Sequence, residues 1–80
     1  MIDRAIRLER LPAGKTARIC RIEGRLDHVH RFEELGFSTG TRIQMFRPGN
    51  PCIIRLAGGK VCIRSDGSLR VLVEPDLAAG

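Results

Sequence analysis

The apolar positions of this chain follow two rhythms. Between Asp27 and Thr41, in DHVHRFEELGFSTGT, Val29, Phe32 and Leu35 recur every three residues and share one face of a short helix. Asp27 is placed to cap that helix, because its side-chain oxygen accepts from the free N–H groups of the first turn. Gly36 follows the last periodic residue, where the chain needs a left-handed conformation that glycine adopts without a Cβ clash. Phe37 then folds back on the last turn, and Gly40-Thr41 releases the chain into an extended run.

Elsewhere the period is two. Thr16–Ile22 alternates apolar residues with Arg18 and Arg21 and predicts a strand. The alternation slips once between Ile19 and Ile22, which predicts a bulge or strong bend. Arg42–Phe46 is a second strand with Ile43 and Met45 on one face. Arg47-Pro48-Gly49-Asn50-Pro51 is a turn. Cys52–Leu56 presents Cys52, Ile54 and Leu56 on one face and Ile53 and Arg55 on the other. Ala57-Gly58-Gly59 predicts a tight hairpin with positive φ at both glycines. Lys60–Arg64 returns with Val61 and Ile63 inward. Ser65–Ser68 is a turn, and Leu69–Val73 the last strand. Met1–Arg10 reads as a short strand or an irregular lead-in, and Leu11-Pro12-Ala13-Gly14 as a turn.

These elements predict a mostly β fold: a small, partly open barrel of about five strands, with one short helix inserted after the first main strand as a lid. Curling one sheet buries a face without a second layer. A single domain is expected over 1–75, with 76–80 as a loose tail. Eighty residues bury only ~60% of the unfolded surface, which leaves no room for a deep cleft between lobes.

Composition narrows the function. The net charge is +5, from 14 Lys+Arg against 9 Asp+Glu. Bases are spread along the chain with no tight cluster, and so read as a solvated, arginine-rich surface; the other reading is an anionic partner. No apolar run approaches the ~20 residues of a membrane span. The N-terminus lacks the apolar stretch of a signal peptide. An odd number of widely spaced cysteines fits a reducing cytoplasm.

Catalytic and metal chemistry find little support. Cys20, Cys52 and Cys62 show no Cys-x-x-Cys spacing and read as buried structural thiols. His28 and His30 lie about 200° apart round a helix and cannot share a metal as an i, i+4 pair does. Glu33-Glu34 reads as a solvated face. Gly58-Gly59-Lys60 is a hairpin corner, because a phosphate loop requires Gly-x-x-x-x-Gly-Lys-Ser/Thr leading into a helix. No catalytic, cofactor or metal residue is therefore assigned. Phe46 points away from Ile43 and Met45, as does Ile53 from Cys52 and Ile54. That pair is either a docking patch beside the Pro48–Pro51 turn or a surface the helix covers.

In order and spacing, these landmarks resemble the FeoA family of small proteins from the bacterial ferrous-iron uptake system. The resemblance rests on Leu8, Leu11-Pro12-Ala13-Gly14-Lys15, and Ala17, Ile19 and Ile22. It continues through Arg31-Phe32, Glu34-Leu35-Gly36-Phe37 and Gly40-Thr41-Arg42-Ile43. Gly49-Asn50-Pro51, Gly59–Arg64 and Val71-Leu72-Val73 complete it. Asn50 stands where the family commonly has aspartate, and Cys62 and Ser68 where it often has alanine.

The resemblance implies an SH3-like barrel. It also implies a non-enzymatic partner of the cytoplasmic GTPase domain of the FeoB membrane transporter. Binding would modulate the transporter by protein–protein contact. The expected contact surface is Arg25, Leu26, His28, Arg31, Phe46, Pro48, Asn50 and Ile53. No cofactor is expected, and an oligomer is open. Two alternatives are a nucleic-acid-binding small barrel, and a metal-sensing domain related to the C-terminal domains of iron-dependent repressors.

Overall fold

A computed structural model describes residues 4–64 and 69–76. The Ser65–Ser68 turn, the end of the tail and Met1–Asp3 lie outside the described residues. Six strands form one antiparallel sheet among the described residues: β1 Ile6–Arg7, β2 Thr16–Gly24, β3 Arg42–Arg47, β4 Cys52–Leu56, β5 Gly59–Ile63 and β6 Leu69–Pro75. Their order is β1-β6-β2-β3-β4-β5, so the sheet is unclosed, with β1 and β5 at its edges. The helix α1, Leu26–Glu34, is inserted between β2 and β3. The count exceeds five because the lead-in contributes β1, which pairs Ile6 with Val73 and Arg7 with Leu72.

One apolar face fills the curl. Ala17, Ile19, Ile43, Met45, Ile54, Ile63, Val71 and Val73 are all buried, each with polar or half-exposed neighbours along its strand. Leu8, in a single 3-10 turn over Leu8–Arg10, and Leu11 beside it are fully buried as well. The following turn is laced to β3: Gly14 N–H donates to Met45 O (2.8 Å), and Met45 N–H donates to Lys15 O (2.9 Å). Gly14 has φ +84°, a conformation costly for any residue with a Cβ.

The slip in β2 is a bulge. Ile19 pairs with Val73 and Arg21 with Leu72, which leaves Cys20 as the extra residue. The bend separates two roles. Before it, β2 is paired on both sides, with β3 at Thr16–Arg18 and with β6. Beyond it, Arg21–Gly24 stays paired with β6 and leads into α1.

The start of α1 differs from expectation. Arg25, not Asp27, holds the N-cap position, and no side chain caps it. Asp27 is inside the first turn, where its negative charge favours the positive end of the helix dipole. The stop is as expected. Phe37 N–H donates to Phe32 O (3.1 Å) and Gly36 N–H to Glu33 O (3.0 Å), with Gly36 at φ +101°. This pairing is a Schellman motif, and its usual apolar contact is present. The Phe32 and Phe37 rings stack with centroids 4.4 Å apart, and both rings are buried. Of the three periodic residues only Phe32 enters the core; Val29 is half-buried, and Leu35 sits at the C-cap and is 58% exposed.

The β4–β5 hairpin is tighter than predicted. Leu56 pairs with Gly59, so Ala57-Gly58 alone makes the corner. Positive φ occurs at Gly59 (+139°) and not at Gly58.

Candidate functional site

Open grooves flank the curled sheet and its lid among the described residues. One lies between the end of α1 and the β4–β5 hairpin, with a volume of about 310 Å³, and its apolar lining includes Leu35, Leu56 and Val61. Another, about 750 Å³, runs along β2 and β6, and its mixed lining includes Thr16, Arg18, Arg42, Glu74 and Asp76 beside Ile19 and Pro75. Its groups largely satisfy one another. The Thr16 hydroxyl donates to Asp76 Oδ2 (2.6 Å), and Arg42 lies 3.4 Å from the same oxygen. The bulge thiol of Cys20 donates to Leu72 O (3.4 Å).

A third feature is the outer face of β3, β4 and β5. Register places Gln44 opposite Arg55 and Arg55 opposite Lys60; Arg47 opposes Ile53, which opposes Cys62. A register shift between Met45 and Arg47 leaves Phe46 as the extra residue, pushed outward. Phe46 is not hidden beneath α1: it is 49% exposed, and the Lys60 ammonium sits 3.7 Å above its ring. Such a cation–π contact contributes roughly 0.5–1 kcal/mol at an exposed site. Ile53 is half-buried.

The eight residues expected to meet a partner fall in two groups. Arg25, Leu26, His28 and Arg31 belong to α1 and its cap. Leu26 is 71% exposed, and Arg25 and Arg31 are exposed. Phe46, Pro48, Asn50 and Ile53 lie at the end of β3, in the turn and on β4. The end of β2 that pairs with β3 is opposite the end that launches α1, so the groups stand at different ends of that strand.

The cysteines have three environments. Cys52 is buried, Cys20 half-buried and Cys62 exposed, so Cys62 departs from the expectation of buried thiols. Cys52 and Cys62 are one register step apart, since Cys52 opposes Ile63 and Ile53 opposes Cys62; they project to opposite faces. Burial pushes the Cys52 thiol up to about 11, which keeps it protonated and inert at neutral pH. His28 is half-buried and His30, Glu33 and Glu34 are exposed. Among the described residues, no three of the His, Cys, Asp and Glu side chains gather as a metal would require. No helix among them is long and apolar enough to cross a membrane.

The family model for the FeoA domain matches residues 6–75. The chain belongs to the FeoA domain family. Among solved structures, the fold is similar to a crystal structure of an iron uptake regulatory protein (FeoA). The TM-score is 0.77 at 22% identity, covering 90% of this chain and 99% of that one. That likeness establishes the SH3-like small barrel. No curated protein matches the sequence.

The positions that carry the FeoA resemblance are mostly architectural. Leu8 and Leu11 plug the barrel, Gly36-Phe37 stops the helix, and Gly40 N–H donates to Ile19 O (2.6 Å), which docks the post-helix turn on β2. The surface features are different. The apolar groove and the Lys60–Phe46 contact escaped the sequence reading because both join residues far apart in the chain. Alternation places Phe46 outward, but pairing it with Lys60 requires the register of three strands.

Proposed function

We propose that this FeoA-domain chain is a small accessory protein of ferrous-iron uptake that acts by docking, without catalysis of its own. The partner is the cytoplasmic GTPase domain of the FeoB transporter, and binding shifts the conformational population of that domain. The chain accordingly works in the cytoplasm. The observation that carries this reading is the family match over residues 6–75. The surface supports it: Leu26, Leu35 and Phe46 are large, apolar and exposed, which is what docking requires and catalysis does not.

The test is co-purification with the transporter's soluble GTPase domain, with and without nucleotide, beside ferrous-iron uptake in cells lacking this chain. Retention on the GTPase domain and reduced uptake are expected. Uptake at the wild-type rate in the deletion strain would overturn the role. Phe46→Asp and Leu26→Asp, each checked for retained fold, then separate the two groups of exposed residues: the one that contacts the partner weakens retention.

A further inference from the structure

The bases look dispersed in the sequence, but the fold gathers them. Residues 35–65 contain Arg42, Arg47, Arg55, Lys60 and Arg64 and no acid, so the remaining nine bases and nine acids cancel and the whole net charge of +5 belongs to that stretch. The stretch is β3, β4 and β5. Arg42 is paired with Asp76. Arg47, Arg55, Lys60 and Arg64 are exposed, and none has an ion-pair partner among the described residues. Arg55 and Lys60 stand directly opposite one another across β4 and β5. Like charges so placed destabilise a sheet.

This basic surface ends at an open edge. Among the described residues β5 pairs with β4 alone, which leaves its other side as an edge that another strand can join. Lys60 and Cys62 on β5 and Arg64 just past its end are exposed, whereas Val61 turns toward the apolar groove it lines with Leu35 and Leu56.

We propose that the β5 edge receives an extended acidic segment of a partner protein as a seventh strand. Main-chain bonds along β5 hold the segment, and its alternating side chains select it. Its acids lie over Lys60 and Arg64, and an apolar side chain between them faces Val61 and the groove. A second copy of β5 is disfavoured, since it would bring another Lys60 and Arg64 against the first pair. Nucleic acid would match the charge, but only one exposed aromatic ring, that of Phe46, is present on this face for base stacking. The proposal rests on the chain being a docking module and names the chemistry of what docks.

The test uses the full chain and a fluorescein-labelled nine-residue peptide alternating Glu with Val. Its controls are a composition-matched peptide with the Glu residues in one block, the alternating peptide with backbone N-methylation at every second residue, and an oligo-dT of equal charge. The alternating peptide is expected to bind, to weaken as salt rises, and to shift the amide resonances of β5. Lys60→Glu/Arg64→Glu, with unchanged circular dichroism, should weaken it at least tenfold, and N-methylation should abolish it. Equal binding of the blocked peptide, tighter binding of oligo-dT, or no peptide binding at all would overturn the proposal. The transporter assay is read separately: retention of the GTPase domain alongside peptide failure leaves the docking function standing and removes the edge.

Discussion

The two halves of this sheet share one core and present opposite outer faces. In β1, β2, β6 and the segments beside them, acids answer bases: Arg21 and Arg70 both reach Glu23, Arg7 lies 4.0 Å from Glu9, and Arg25 lies 3.7 Å from Asp27. In β3, β4 and β5 the bases have no acids among them. Ile19 and Val73 on one side are as deeply buried as Ile54 and Met45 on the other. Packing therefore does not explain the charge difference. The inner face is set by folding, and the outer face of β3–β5 carries a like-charge pairing that folding alone would not favour.

The largest expected effect tests the shared core. Ile19→Ala in β2 and Ile54→Ala in β4 should each cost about 2–5 kcal/mol in denaturant unfolding, because both leave a cavity. A small loss from one and a large loss from the other would show that the halves do not pack as one body.

Next comes the joint between the halves. Gly36→Ala should cost roughly 1–3 kcal/mol. Nothing lies within 4 Å of the added Cβ, so the cost is that of φ +101° and not of a clash. An unchanged melting temperature would mean that the helix stop is not formed as described.

A pH effect tests the basic half. The Cys52 thiol titrates at about 11 when folded against 9.0 when free, so its contribution to stability is full below pH 9 and is lost as pH rises toward 11. Unfolding at pH 8 and 10.5 should show a larger decline for the native chain than for Cys52→Ala. Thiol reagents should label exposed Cys62 well before Cys52, and equal rates would contradict the burial of Cys52.

The smallest effect sharpens the charge difference directly. Arg55→Gln removes the like-charge opposition to Lys60 and should stabilise the chain by roughly 0.2–1 kcal/mol at low salt, less at high salt. Glu23→Gln in the neutral half should do the reverse, by about the same amount. Thermal unfolding at two ionic strengths checks both, and identical salt responses would erase the contrast.

Local chemistry was legible in the sequence, and long-range pairing was not. Gly36-Phe37 announced the helix stop, and the slip between Ile19 and Ile22 announced the bulge, since each signal lies within a few residues. Leu8 and Leu11 gave no warning of their burial, because a single 3-10 turn has too little period to read. Asp27 was a sound capping candidate, but the cap position falls two residues earlier, at Arg25. Arg47, Arg55, Lys60 and Arg64 are separated by four to eight positions in the chain and look scattered. Two tight reversals bring them onto one surface, and only the register shows it.

The register also explains how the strand carrying Cys20 can curve without a proline or a glycine at the bend. Curvature there is written as an integer: two residues stand against one interval of the facing strand, and the surplus has nowhere to go but outward. A chain lacking Cys20 would keep every remaining partner in β6, from Ile19 with Val73 to Gly24 with Leu69, yet run straight. The lid would then leave the sheet on another heading, with every side chain that makes the barrel still in hand.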